Sequence, residues 1–166
     1  QHLHECLDRF EACRDLALRP AEVEVALWFH DAIYDVRRAD NERRSADWAR
    51  DAVLTSGATR DTAERIEALV MTTRHATATP ATTDAQLLVD IDLAILGADP
   101  ERFAEYERQI RREYAHVAEA AFRARRRAIL AAFLARERIY GTPRLHDELE
   151  HRARANLSLA IAGNVA

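Results

Sequence analysis

Two ionisable residues interrupt an apolar stretch of the chain. Residues 27–35 read LWFHDAIYD, in which His30 and Asp31 follow three apolar residues and precede a second aspartate, Asp35. Burying an ionised carboxylate is costly, so Asp31 needs a cation or strong hydrogen-bond donors beside it. A metal ion lying in the crevice between the two side chains would meet this need. A hydrogen-bonded core histidine beside an interhelical salt bridge is the alternative that this segment leaves open.

The dipeptide alone carries little information. His-Asp occurs twice in the chain, and the content of histidine and aspartate makes such pairs ordinary. The second pair, His146 and Asp147, lies among charged residues at a predicted helix start, where aspartate interacts favourably with the helix dipole. We predict that this second pair lies at the surface, which leaves the first pair as the candidate metal site.

Further ligands are expected from other helices. His2 and His4 lie two residues apart on a predicted helix, so at most one of them can face a given site. Asp90 and Asp92 have the same spacing within LLVDIDLAIL, where carboxylates are costly without a partner. The residues therefore predict a mixed set of histidine nitrogens and carboxylate oxygens from three helices. Such a set leaves open positions for water and substrate.

Composition excludes several other classes of protein. The chain has 24 basic and 28 acidic residues, which gives no basic field for nucleic acid. All the basic residues are arginines, so no Walker lysine or Schiff-base lysine exists. The four scattered glycines form no phosphate-binding loop. No apolar run is long enough to span a membrane, and a cytoplasmic location is expected.

Cysteine usage indicates packing rather than chemistry. Cys6 and Cys13 lie seven residues apart on one predicted helix, too far to form a disulfide. No CxxC pattern exists. We predict that both are packed thiols and that neither binds a metal.

Helical periodicity is nearly continuous and predicts an all-α fold of about seven or eight helices in one domain, residues 1–166. Proline and glycine residues at the segment ends suit helix starts and stops. The predicted helices cover about 1–18, 20–33, 41–56, 61–73, 84–96, 99–140 with a bend near 115–119, and 146–162.

Several of these segments, taken in order, resemble motifs of the HD superfamily of metal-dependent phosphohydrolases, in particular its small all-helical bacterial branch. QHLHECL resembles the first-helix histidine motif, and ALWFHDAIYD resembles the HD helix. The other segments that resemble family motifs are NERRSA, MTTRH, VDIDLAILG and YERQIRREY.

The resemblance implies an HD-domain-like bundle that binds a divalent ion (Mn, Mg, Co, Ni, Zn or Fe). Carried over by position, the ligands are His2, His30, Asp31 and Asp92. Asp92 is preferred because it precedes a leucine, as the last ligand of the superfamily typically does, and Asp90 is the alternative ligand or the partner of one.

The resemblance also implies a reaction. A metal-activated water would hydrolyse a nucleotide or a related small phosphoester. Asp35 and Glu42 are candidate general acid or base residues, or support the ligands. His75, Arg74 and Arg111 are candidates for binding the substrate phosphate. His75 could alternatively join a second metal or interact with a helix C-terminus.

Two other functions stay open at this point. A non-catalytic regulatory HD domain would bind a metal or a nucleotide without turnover, but such a domain would be expected to have lost a ligand. The other alternative is a di-iron oxygenase of the same superfamily. Its site would be expected to contain more histidines than His2, His30 and His75 supply.

Overall fold

The computed structural model describes residues 1–74 and 80–163. The described residues form eight α-helices and no strand, which confirms the all-α prediction. The helices are α1 (His2–Cys13), α2 (Pro20–Phe29), α3 (Asn41–Thr55), α4 (Arg60–Met71), α5 (Thr83–Asp92), α6 (Pro100–Glu113), α7 (Glu119–Leu134) and α8 (Pro143–Ile161).

The chain divides into two compact units, Gln1–Asp92 and Leu93–Ala166. In the first unit, α2 packs against α1, α3, α4 and α5. Its side chains Val23, Ala26 and Leu27 are fully buried. Because α2 is central, the last residues of this helix lie close to the ends of several neighbours.

In the second unit, α8 packs against α7 and against the 3-10 turn Leu93–Gly97. Gly97 has to be a glycine, because an added Cβ would lie 2.8 Å from the Cβ of Leu149 and 2.9 Å from its carbonyl oxygen. The Asn156 side chain donates to the carbonyl oxygens of Leu96 and Ala98, which anchors this turn to α8.

The predicted bend in the long sixth segment is a break between α6 and α7. Arg111 stabilises this corner, since its guanidinium donates to the carbonyl oxygens of Tyr114 and Val117 and to the carboxylate of Glu119. It also lies over the ring of Phe122, 4.7 Å from the centroid.

The prediction that this segment continues as a helix to Tyr140 is wrong, because α7 ends at Leu134. Two side chains of α8 replace the lost helical hydrogen bonds. Glu150 accepts from the backbone N–H groups of Ile139 and Tyr140, and Arg154 donates to the carbonyl oxygens of 134, 136 and 137.

The second and fifth helices are also shorter than predicted. α2 ends at Phe29, so His30 is its C-terminal cap and Asp31 lies in the following turn. α5 ends at Asp92 and continues as the 3-10 turn. Within the described part of the chain, no helix has the length and apolar character that a membrane span requires.

Candidate metal centre

Three helix ends meet in the first unit, and each presents a side chain that can bind a metal. His2 is the first residue of α1, His30 follows the last residue of α2, and Asp92 is the last residue of α5. They come together because α1 and α5 pack against α2 and against each other.

The donor atoms of these three side chains are close together. Nε2 of His2 lies 2.9 Å from Oδ1 of Asp92 and 3.2 Å from Nε2 of His30. Nε2 of His30 lies 3.6 Å from the same Asp92 oxygen. Two ligands bonded to one ion at about 2.1 Å are separated by about 3.0 Å at octahedral angles and about 3.4 Å at tetrahedral angles. The cluster can therefore hold a metal ion.

A hydrogen bond behind His30 fixes which of its nitrogens faces the cluster. Nδ1 lies 2.6 Å from the carbonyl oxygen of Leu27, which can only accept, so Nδ1 carries the hydrogen. Nε2 then presents its lone pair to His2 and Asp92. Metal-binding histidines in general are oriented in this way, and the 2% exposure of His30 holds the ring in place.

Electrostatics favour a positive charge at the same point. Burial lowers the pKa of His2, but hydrogen bonds with Asp92 and Cys6 outweigh it and raise the pKa to about 11. The proton on Nε2 of His2 then lies between the Asp92 carboxylate and the lone pair of His30. A cation bound at this point would displace that proton.

Asp31 lies on the exposed side of the cluster. Its side chain is 47% exposed, and Oδ2 lies 3.6 Å from Nε2 of His30. Partial burial of the carboxylate raises the pKa of Asp31, and the negative charges of Asp92 and Glu42 add to this effect. The sequence interpretation of Asp31 as a buried carboxylate is wrong, since nearly half of its side chain is exposed.

In each of the two residue pairs spaced two apart, only one side chain lies in the cluster. His2 lies in the cluster, whereas His4 is exposed and lies 3.4 Å from Asp8. Asp92 lies in the cluster, whereas Asp90 is fully buried and accepts a hydrogen bond from Gln86 at 2.8 Å. The side chains of each pair point in different directions, as the helical geometry requires.

Cys6 also belongs to the cluster, which the sequence analysis missed. Its Sγ lies 3.7 Å from Nε2 of His2 and 3.8 Å from Nδ1. Ligand atoms of His2, Cys6, His30 and Asp92 all lie within 4.8 Å of one another. The signal was present in the sequence, because Cys6 follows His2 by four residues and shares its helix face.

The two candidate acid or base residues lie in different settings. The Asp35 carboxylate accepts from the backbone N–H of Arg37, and its backbone pairs with the Asn41 side chain, so Asp35 shapes the loop before α3. Glu42 lies in the first turn of α3 and is half-buried. Its negative charge contributes to the raised pKa of Asp31.

Of the three predicted phosphate-binding residues, Arg74 is exposed at the end of the 3-10 turn Thr72–Arg74. Arg111 stabilises the corner between α6 and α7, so its guanidinium already has three hydrogen-bond partners. His75 lies outside the described residues. The roles proposed for these residues stay predictions.

The second His-Asp pair is only in part a surface feature. Asp147 is exposed, but Nδ1 of His146 is buried and lies 3.3 Å from Oε2 of Glu150. His146 is therefore half-buried and not fully exposed as predicted, and it packs against Glu150 in α8, away from the candidate metal centre.

Comparisons with protein-family models, with curated proteins and with solved structures found no match.

Proposed function

We propose that the protein is a metal-dependent phosphohydrolase that acts on a nucleotide or a related small phosphoester. One observation carries this proposal: His2, His30 and Asp92 converge at separations that suit ligands of a single ion. The hydrogen bond from His30 to Leu27 supports it, because it holds a ligand nitrogen in place without using its lone pair.

His2, His30, Asp31 and Asp92 would hold the ion, in agreement with the ligand set implied by the HD resemblance. When bound there, a divalent ion supplies Lewis-acid chemistry toward a phosphoryl oxygen and makes a coordinated water more acidic. Three of the four side chains approach from the protein interior, and Asp31 alone is half-exposed.

The exposed side of the cluster is where substrate has to arrive. Asp31 borders this side, and its carboxylate can orient the attacking water. The negative charge of Glu42 acts on Asp31, and we propose that Glu42 accepts a hydrogen bond from the same water or positions Asp31. Arg74 and His75 follow α4 and are proposed to neutralise the substrate phosphate.

The test is phosphate release from a panel of nucleotides and simple phosphoesters, with Mn²⁺, Mg²⁺, Co²⁺, Ni²⁺, Zn²⁺ or Fe²⁺ added to chelator-treated protein. We expect turnover that requires one of these metals and that falls about 100-fold or more in Asp31→Ala and Asp92→Asn. Turnover that survives both substitutions would exclude this site. Metal binding without turnover of any phosphoester would favour the non-catalytic regulatory domain.

A further inference from the structure

The Cys6 thiol lies deep in the first unit, on the inner side of the candidate metal centre. The thiol is one helical turn after His2 and is almost fully buried. Besides the His2 ring at 3.7 and 3.8 Å, Sγ lies 4.0 Å from the carbonyl oxygen of Ile91, the residue before Asp92. The sulfur therefore faces the same point as the two imidazoles and the Asp92 carboxylate.

The separations match those of a tetrahedral site that includes sulfur. Zinc binds histidine nitrogen at about 2.0–2.1 Å and cysteine sulfur at about 2.3 Å, so tetrahedral angles separate nitrogen from sulfur by about 3.6 Å. The observed distance between Sγ of Cys6 and Nε2 of His2 is 3.7 Å. The two nitrogens and the carboxylate oxygen, at 2.9 to 3.6 Å, are also compatible with one ion.

We propose that Cys6 is a metal ligand together with His2, His30 and Asp92, and that the site selects zinc over magnesium and manganese. This inference rests on the metal site of the proposed function and narrows its metal. On binding, the bonds from the metal to sulfur and to the histidine nitrogens form, and both the thiol proton of Cys6 and the proton on Nε2 of His2 leave to solvent, with no change in oxidation state. Thiolate ligands favour zinc and other soft or borderline ions, whereas magnesium and manganese prefer oxygen.

Charge balance favours the same ligand set. With both imidazoles neutral, the Cys6 thiolate and the Asp92 carboxylate together carry two negative charges, which a divalent ion neutralises in a buried setting. Cys6 then takes the place of Asp31 among the four protein ligands, and a water or substrate oxygen would add as a fifth ligand. Asp31 is not needed to balance the buried charge. Its half-exposed carboxylate faces the side that substrate and water can reach.

The chain provides a matched control in Cys13. It lies on the same helix as Cys6, seven residues further on, and is equally buried. Cys13 does not belong to the group of possible metal ligands. Replacing either cysteine by serine makes the same chemical change in the same helix.

The experiment is a Co²⁺ titration of the chelator-treated wild-type protein and of Cys6→Ser and Cys13→Ser, followed by optical absorption. A thiolate bound to cobalt gives a charge-transfer absorption in the near ultraviolet. We expect it in the wild type and in Cys13→Ser, saturating at one equivalent, and we expect it to be lost in Cys6→Ser. In competition between Zn²⁺ and Mn²⁺, Cys6→Ser should lower the preference for zinc about 10-fold or more.

Other outcomes overturn the proposal in distinguishable ways. Cobalt bound by the wild type without the thiolate absorption would exclude Cys6 as a ligand and leave the metal site of the proposed function intact. Absence of cobalt binding would overturn both. Should Cys6→Ser fail to fold, X-ray absorption spectroscopy of the zinc-loaded wild type decides the question, since a sulfur neighbour at about 2.3 Å is expected and only nitrogen and oxygen would contradict it.

Discussion

Asp92 in the first unit and Glu150 in the second are both buried carboxylates, with 9% and 8% of their surface exposed. They differ in the groups that surround them. Glu150 accepts hydrogen bonds from the backbone of Ile139 and Tyr140 and from the Arg154 guanidinium. Backbone N–H groups and arginine are donors that cannot bind a metal. One imidazole, that of His146, also lies 3.3 Å from Oε2 of Glu150, but a single histidine beside one carboxylate supplies too few ligands for a metal site.

Around Asp92, by contrast, the structure places His2 at 2.9 Å and His30 at 3.6 Å, with the Cys6 thiol in the same cluster. Each of these groups is a metal ligand once it is deprotonated. The comparison shows that burial of a carboxylate does not by itself indicate function. The chemical type of its neighbours separates a carboxylate that completes the fold from one that can bind an ion.

Asp84 is a second buried carboxylate of α5, the helix that also carries Asp92. It lies at the start of α5, whereas Asp92 lies at its end. The Asp84 carboxylate accepts from the backbone N–H groups of Leu18 and Arg19, at 2.7 and 3.0 Å. Asp84 therefore resembles Glu150 and not Asp92, although it shares a helix and a unit with Asp92.

The largest expected effect is on metal binding by Asp92→Asn. Removing a ligand charge should weaken zinc affinity about 1,000-fold, more than the 10–100-fold that loss of an outer partner costs. Calorimetric titration with Zn²⁺ measures this. Asp90→Asn is the matched control, because Asp90 is also buried but contacts Gln86, and it should keep wild-type affinity. An equal loss of zinc affinity in both variants would contradict the assignment of Asp92 as a metal ligand.

The next largest effect is on stability, through Glu150→Ala. This substitution leaves the buried N–H groups of Ile139 and Tyr140 and the charge of Arg154 without their acceptor, so the free energy of unfolding should fall by about 3 kcal/mol. Urea unfolding followed by circular dichroism measures it. Zinc affinity of the folded variant should be unchanged, and a loss of affinity like that of Asp92→Asn would contradict the account.

A smaller loss of stability is expected for Asp84→Ala. Two backbone N–H groups lose a charged acceptor near the start of α2, which should cost about 1–2 kcal/mol. Trp28 and Trp48 both lie in the first unit, so tryptophan fluorescence during unfolding monitors this change. Zinc binding should again be retained, which would show that a buried carboxylate of α5 can be removed without affecting the cluster.

The smallest expected effect is a difference in acid sensitivity. Burial raises the pKa of Glu150, but hydrogen bonds from the backbone of Ile139 and Tyr140 and from Arg154 outweigh it, so the pKa is lowered overall. A group with a lowered pKa stabilises the fold above its ordinary pKa of about 4.5, and this contribution is lost as the pH falls below that value.

Unfolding curves of the wild type and of Glu150→Gln at a series of pH values measure this contribution. The stability difference between the two should shrink as the pH falls from about 5 toward 3, because protonated Glu150 resembles glutamine. A difference that stays constant over this range would mean that the Glu150 charge contributes nothing.

Much of the fold could be predicted from periodicity and helix-capping signals. These predicted the all-α class, because proline, glycine and apolar spacing act locally. A bend was predicted near residues 115–119, where the structure has a break between α6 and α7. Helix ends were less predictable, and this affected the site. His30 and Asp31 do not share a helix, since α2 ends at Phe29, and Asp31 is consequently more exposed than the apolar sequence around it indicated.

The candidate site was also only partly predictable. Helix geometry predicted that at most one member of each i, i+2 pair, His2 or His4 and Asp90 or Asp92, would face the site. The resemblance to the HD superfamily then selected His2 and Asp92. The i, i+4 spacing places Cys6 on the helix face of His2, but only the packing of α1 against α2 and α5 shows that its sulfur reaches the cluster. The engagement of Arg111 at the corner between α6 and α7 likewise depends on how the chain packs there. The hydrogen bond from His30 to Leu27 likewise follows from the local path of the chain at the end of α2.

The central claim is that one divalent ion binds where three helix ends meet. Anomalous diffraction from crystals of the protein grown with zinc tests it most directly. We predict a single strong peak within about 2.0–2.3 Å of Nε2 of His2, Nε2 of His30 and a carboxylate oxygen of Asp92. No peak at this position in the presence of excess zinc, or a peak held by other residues, would contradict the account.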